Sequence, residues 1–247
     1  MRNVACLSIY NDRSFLSSCL ESIIEADCFD TLIVADGAYR LYFEEYRMHD
    51  SKARPWSSDG SMEIVQAFKD LPDLRILKPP QGAPNSGLEY DCWENQAVKR
   101  TALIEAVADG DWFTIIDADE MLMGDVQEGY EKIFGSDCVV ASCPLWLPGS
   151  DVDRYWREWH PRFFRKVPGM HYKGTHWHLK DRVDRVIEET YPVYWTDTLC
   201  LVHLKGLKPQ SRMIPHQNYM AQLANRGWLE PEELGKILWK QPILSGR

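Results

Sequence analysis

Within its first 36 residues the chain passes from one apolar run, Val4-Ala-Cys-Leu-Ser-Ile-Tyr10, through a helical pattern, to a second apolar run, Thr31-Leu-Ile-Val-Ala35. Both runs are short and rich in branched or aromatic side chains, the pattern of a buried strand. Between them Asn11, Asp12 and Ser14 offer helix caps, while Phe15, Leu16, Cys19, Leu20, Ile23 and Ile24 recur at helical spacing. Strand, helix and strand in so little chain make a βαβ unit, with parallel strands and a right-handed crossover. Such strands are covered on both faces, so the expected class is α/β with a mostly parallel sheet flanked by helices.

Further along, Tyr39, Tyr42, Phe43 and Tyr46 form an aromatic stripe at helical spacing, and 55–60 reads as loop. A helix is predicted over Ser61–Lys69, a strand over Leu74–Leu77, a loop over Gln81–Gly87 and a helix over Asp91–Ala108. Trp112–Ile116 is a buried strand leading straight into Asp117-Ala-Asp-Glu120. The alternation then loosens. Val139–Trp146 and Thr198–Val202 read as strands, 151–185 is dense in Arg, His and Trp, and helices are expected over Ile214–Asn225 and Pro231–Lys240. With no repeat and no clear linker, residues 1–247 are read as one domain, regular in its first half and decorated in its second.

Charge is unevenly spread. Residues 1–150 carry 12 basic and 26 acidic side chains, whereas 151–247 carry 16 and 11. An acidic half beside a basic half suits a bound cation on one side and an anionic ligand on the other; two differently solvated faces would look the same. The total of −9 disfavours duplex nucleic acid as a partner. Seven irregularly spaced cysteines without a C-x-x-C pair argue against a zinc or redox centre, and read as small core residues in a reducing cytoplasm. No apolar run approaches the ~20 residues that span a bilayer, and the first residues lack a signal-peptide pattern, so a cytoplasmic location is expected.

In open α/β sheets ligands collect beyond the carboxyl ends of the parallel strands. That rule nominates Ser8, Tyr10 and Asn11, then Asp36-Gly37, then Asp117–Glu120, and His203. Just past a strand, Asp117 and Asp119 project to the same side, and two such carboxylates repel unless a cation lies between them. Oxygen ligands of this kind suit Mg²⁺ or Mn²⁺, and an added imidazole favours Mn²⁺. A lone D-x-D is more often a solvated turn or helix cap; the buried strand before it and the acidic surroundings favour the site here. No G-x-G-x-x-G follows the first strand, and neither a P-loop nor a G-x-S-x-G elbow occurs, which argues against dinucleotide dehydrogenases, P-loop NTPases and serine hydrolases. His176 and His178, with His171 nearby, would need further ligands to hold zinc.

Taken together, Leu7-Ser-Ile-Tyr-Asn11, Leu32-Ile-Val-Ala-Asp-Gly37, Asn95-Gln-Ala-Val-Lys-Arg-Thr-Ala-Leu103 and Gly110-Asp-Trp-Phe-Thr-Ile-Ile-Asp-Ala-Asp-Glu120 resemble a family 2 glycosyltransferase of the GT-A fold, over about residues 3–122. The Asp-Ala-Asp-Glu form is similar to that of the lipopolysaccharide-type glucosyltransferases. The resemblance implies a GT-A-like, Rossmann-related sheet, with 1–122 binding nucleotide and metal and 123–247 shaping an irregular acceptor and sugar region. It places Ser8 and Tyr10 in the nucleotide pocket, Asp36 against the base, and Lys99 near the nucleotide. Asp117 would approach the ribose or metal, Asp119 would ligate Mn²⁺ or Mg²⁺, and His203 would complete the shell. The relatives commonly carry Asp-Asp where this chain has Ala35-Asp36.

In the second half, Arg162-Phe-Phe-Arg165 and Tyr172-Lys-Gly-Thr-His176 are similar to a family segment ending in His-Glu, but Trp177 stands where the glutamate would be. Inverting transfer needs a base for the acceptor hydroxyl, and Asp181 and His176 are the candidates. Trp156, Trp159, Trp177 and Trp195 could stack on a sugar or belong to the core. The expected function is therefore metal-dependent transfer of a sugar from a nucleotide-sugar donor, UDP-linked by the resemblance. The acceptor hydroxyl, on a glycan, lipid-linked carrier, protein or modified base, is left open, as are stereochemistry and oligomeric state. A sugar-phosphate nucleotidyltransferase is the alternative, although Tyr10-Asn-Asp-Arg13 lacks the glycine-rich loop such enzymes carry. A non-catalytic nucleotide-sugar- or carbohydrate-binding relative is kept open by Trp177.

Overall fold

The computed structural model describes residues 1–68, 73–81, 91–148, 155–173, 178–208 and 210–225. His176, Trp177, the loop over 82–87 and the helix expected over 231–240 lie outside these residues, as does the side chain of Trp156. The elements run β1 (Asn3–Ile9), α1 (Arg13–Glu25), β2 (Thr31–Asp36), α2 (Arg40–His49), α3 (Ser61–Ala67), β3 (Asp73–Leu77), α4 (Gln96–Glu105), β4 (Trp112–Asp117), β5 (Glu120–Gly124) and α5 (Val126–Phe134). Then come β6 (Val140–Pro148), β7 (Tyr155–Arg165), β8 (His171–Tyr172), β9 (Leu179–Lys180), α6 (Ile187–Thr190), β10 (Val193–Trp195), β11 (Leu199–His203), a 3₁₀ turn (Leu204–Leu207) and α7 (Gln210–Asn225).

Among the described residues one nine-stranded sheet runs in the order β3-β2-β1-β4-β7-β6-β11-β5, with β10 also paired to β6. The first four strands are parallel neighbours. β7 enters antiparallel between β4 and β6, and β5 lies antiparallel to β11 at the edge. This is the expected α/β class, a mostly parallel sheet flanked by helices, with its short irregular strands confined to the second half.

Alternation along the strands explains why their sequences are apolar throughout. Ala5, Leu7 and Ile9 of β1, Leu32 and Val34 of β2 and Ile116 of β4 point to one face, where Leu16, Leu20 and Ile23 of α1 and Tyr130 and Ile133 of α5 cover them. Val4, Cys6, Ile33, Ala35, Phe113 and Ile115 point to the other, beneath Leu103 and Ile104 of α4 and Ile187 of α6. A third cluster joins Tyr42 and Phe43 of α2 to Tyr219, Met220 and Leu223 of α7, so the aromatic stripe is core. All seven cysteines are free.

Several elements differ from the sequence reading, and three of the longer ones have a clear cause. The helix predicted from Asp91 starts only at Gln96, because Trp93 is pulled into an extended bridge with Tyr39. Its indole donates to the Asp36 carbonyl at 2.6 Å, and Asn95 then caps the helix by accepting from the Val98 N–H. Helix α5 went unread, although Asp125 caps it and Val126, Tyr130 and Ile133 are its buried stripe. The arginine- and tryptophan-rich stretch contains the 11-residue β7, the partner of β6 in a long antiparallel pair.

Candidate active site

The carboxyl ends of β1, β2, β4 and β11 meet along one edge of the sheet, as the strand order requires. Ser8 pairs in register with both Ala35 and Asp117, so the ends of three strands lie side by side at that level. Beyond β1 the chain turns through Asn11, which adopts a left-handed φ of 52°, a conformation asparagine tolerates better than most residues. The Asn11 Oδ1 accepts from the Ser58 N–H at 2.8 Å, and its own N–H donates to the Ser57 hydroxyl at 2.9 Å. Tyr10 donates its hydroxyl to the Arg54 carbonyl at 2.8 Å. Residues 54–58 are thus laced over the ends of β1 and β2.

Asp36 lies under that segment. Its carboxylate accepts from the Ser57 hydroxyl at 2.6 Å and from the Ser57 N–H at 3.2 Å. Burial raises its pKa, while Ser57 and the Lys99 charge work in the opposite direction. Gly37, at φ 108°, sits where an added Cβ would come 2.3 Å from Pro79 Cγ, so the turn after β2 admits glycine alone without rearrangement.

Lys99, expected near the nucleotide, is a buried cross-link. Its ammonium donates to the carbonyls of Ile9 and Gly37, at 2.7 Å each, tying the ends of β1 and β2 together. Desolvation pushes its pKa down to about 8, against the pull of Asp36, Asp12 and Asp117. Lys99→Met is expected to destabilise the fold by about 2–4 kcal/mol, because two buried carbonyls lose their donor. The pH dependence has a defined sign. The unfolded lysine holds its proton up to its ordinary pKa of 10.5 and the folded one only to about 8. Unfolding therefore takes up a proton in that window, and wild-type stability should rise from pH 8 towards 10.5 relative to Lys99→Met. Urea midpoints of both proteins at several pH values measure this; parallel curves would show that the lysine is not desolvated.

The D-x-D turn after β4 divides its acids between different partners. Both oxygens of Asp117 accept from one nitrogen of the buried Arg100, at 2.6 and 2.8 Å. Burial opposes the Arg100 charge, but Asp117 more than compensates and its pKa is raised. Glu120, fully buried, accepts from Arg162 of β7 at 2.5 Å and from the Asp117 N–H at 2.9 Å. Desolvation raises the Glu120 pKa, with Arg162 opposing it.

Asp119 is buried and turned the other way. Its Oδ2 lies 3.1 Å from His203 Nε2 at the end of β11 and 2.9 Å from Lys208 Nζ, while its backbone carbonyl accepts from the Leu204 N–H at 2.7 Å. Burial alone would raise this carboxyl, but the His203 hydrogen bond and the Lys208 charge hold it well below the usual range.

These residues bear on the metal expectation. Facing donors on Asp119 and His203 stand 3.1 Å apart. A carboxylate oxygen and an imidazole nitrogen are the donor types that would hold Mn²⁺ or Mg²⁺ here, with the Lys208 ammonium against the same oxygen at 2.9 Å. Asp117 would join them only by giving up a buried arginine. Among the described residues, no three His, Cys, Asp or Glu side chains form a metal-ligating group. The remaining positions would fall to water and ligand phosphate, the usual habit of Mg²⁺.

Other candidates have partners outside the D-x-D turn. The Asp181 carboxylate accepts from the N–H groups of Val183 and Arg185 and from the Arg185 guanidinium within its own turn. Desolvation opposes ionisation there, but those bonds prevail and lower its pKa, which suits a turn anchor better than a proton acceptor. His171 faces Asp184 and His178 faces Glu188, so these imidazoles are engaged with different carboxylates. Trp159 and Trp195 meet edge to face at 5.5 Å and are exposed, on β7 and β10. The sequence reading gave no role to Arg100, Ser57, Glu120, Arg162 or Lys208. Arg100, Glu120 and Arg162 stand inside quoted motifs; Ser57 and Lys208 carry no local signal, since their partners are distant in sequence.

No protein-family model matches the chain. No curated protein matches it either. Among solved structures, S. aureus TarS 1-349 is similar at 14% identity and a TM-score of 0.42, over 62% of this chain and 39% of that one. The chain thus spans about two fifths of that structure. The 4-diphosphocytidyl-2C-methyl-D-erythritolsynthase from Anaerococcus prevotii aligns at 8% identity and a TM-score of 0.44, over 87% and 96%. HddC from Yersinia pseudotuberculosis aligns at 8% identity and 0.43, over 89% and 100%. Likeness at this level carries no functional assignment.

Proposed function

We propose that the chain is a glycosyltransferase that takes a sugar from a nucleotide-sugar donor, a UDP-sugar in the first instance, with Mn²⁺ or Mg²⁺ as cofactor. The observation that carries this reading is the meeting of Asp119 and His203, 84 residues apart in sequence, on one side-chain contact at the carboxyl edge of the sheet. In this reading Asp36, under the loop of Ser57, would lie towards the base, and Asp119 with His203 towards the diphosphate. Asp117, held by Arg100, borders the ribose between them. When bound, the divalent ion would neutralise the charge that develops on the departing diphosphate. The protein's own part is to position: Arg100 and Arg162 fix the D-x-D turn, and Lys99 fixes the two strand ends beside it. The acceptor and the proton-accepting group are left unassigned.

The test is a thermal-shift series with UDP, UDP-glucose and UDP-N-acetylglucosamine, each with and without Mn²⁺, followed by donor hydrolysis without acceptor. Stabilisation by UDP that grows with Mn²⁺, together with slow release of UDP from one donor, supports the reading. Pyrophosphate release from UTP plus a sugar 1-phosphate, without donor hydrolysis, would assign nucleotidyl transfer instead. UDP-sugar binding with no turnover of either kind would leave a binding module.

A further inference from the structure

The acids at the carboxyl edge are matched by the protein's own cations. Asp117 faces Arg100, Glu120 faces Arg162, Asp36 feels Lys99, and Asp119 faces Lys208. The last of these differs in kind. Arg100 and Lys99 are buried, whereas Lys208 keeps 20% of its side chain exposed at the end of a flexible stem. It follows the 3₁₀ turn that leaves β11 at His203, and that turn is docked on Asp119 through the Leu204 N–H. The ammonium lies 2.9 Å from Asp119 Oδ2, the oxygen that His203 also faces, and 3.6 Å from Asp12 Oδ1 beyond β1.

A divalent ion ligated by Asp119 and His203 would need the space beside that same oxygen. An ammonium and a doubly charged ion that close repel strongly in a site shielded from water. We propose that Lys208 is an exchangeable counter-ion of Asp119: ammonium and divalent ion exclude each other there, and the diphosphate of an arriving nucleotide receives the displaced ammonium. Metal then loads well only together with nucleotide. The free protein keeps its acidic edge neutral, and an isolated cation meets an occupied carboxylate. This inference rests on the function proposed above.

Mn²⁺ binding, read from the paramagnetic resonance of free Mn²⁺, tests it on the wild type, Lys208→Met and Lys208→Arg, each with and without UDP. Asp119→Asn serves as the blank for Mn²⁺ held by UDP in solution. Lys208→Met should bind Mn²⁺ alone about tenfold or more tightly than the wild type, since one opposing charge is gone. It should gain less Mn²⁺ affinity from UDP. Lys208→Arg should behave as the wild type, separating charge from side-chain loss. Equal affinity of the wild type and Lys208→Met for Mn²⁺ alone, with UDP-enhanced binding in both, overturns the exchange and leaves the proposed function standing. No Mn²⁺ binding by any of them, with or without UDP, overturns both.

Discussion

Asp119→Asn is expected to abolish Mn²⁺-dependent stabilisation by UDP and to slow sugar transfer or donor hydrolysis by about 10²–10³-fold, the usual loss when one group that meets developing charge is removed. The substitution keeps an oxygen acceptor for His203 and nearly the same volume, so the fold should survive. Lys208 would lose its 2.9 Å partner but retain Asp12 at 3.6 Å. Circular dichroism and the unliganded melting temperature check that the variant is folded; the UDP titration with and without Mn²⁺ then reads the site. An unchanged Mn²⁺-dependent shift would remove Asp119 from the metal centre and, with it, the main support for the proposed chemistry.

The largest effect on stability is expected from Arg162→Met. Glu120 has no exposed surface, and the arginine at 2.5 Å supplies its opposing charge. Removing one partner of a buried pair typically costs about 3–5 kcal/mol, because the other charge stays buried without compensation. Against an ordinary domain stability of about 5–15 kcal/mol, that is a large fraction. The loss should depend on pH in a defined direction. Without Arg162 the folded Glu120 pKa, already raised by burial, rises further above its unfolded value. The folded state then binds more protons than the unfolded one, so the variant weakens as pH rises and is least impaired in acid. Adding Glu120→Gln should recover most of the loss, since the amide oxygen can still accept from the Asp117 N–H. Urea unfolding of the two single variants and the double variant measures the coupling; additive losses would mean that the two residues do not form a pair.

The parallel half of the fold was legible because helices cover both faces of the sheet, and this writes β1, β2 and β4 as unbroken apolar runs. Wherever such a run ended in a polar residue, the structure places a strand end at the common edge: Asp36, Asp117 and His203 all follow this rule. The start of α4 was misread because Trp93 lies in phase with the helix behind it; its indole bond to the Asp36 carbonyl, a distant contact, decides otherwise. β7 escaped because its arginines and tryptophans do not alternate cleanly with apolar residues. Lys99 and Arg100 show the harder limit. Adjacent and both basic, they read alike in sequence, yet one ties backbone carbonyls and the other holds Asp117. Side-chain direction on α4 separates them, and spacing alone does not carry that information.

β5 has β11 as its sheet partner among the described residues, and the two strands are about 80 residues apart in sequence. During synthesis the D-x-D turn and the strand behind it leave the ribosome long before the chain that will lock them in place. Until Leu199–His203 arrives, β5 presents an unpaired edge, and Asp119 waits without its imidazole. Non-local pairing of this sort slows folding and exposes an aggregation-prone edge meanwhile. Recombinant production at reduced temperature, or with a chaperone that shields such edges, should therefore raise the soluble yield. Among the described residues β11 is the last strand made and the one that completes the site, so a nascent chain halted before it would lack His203 and with it the two-donor site.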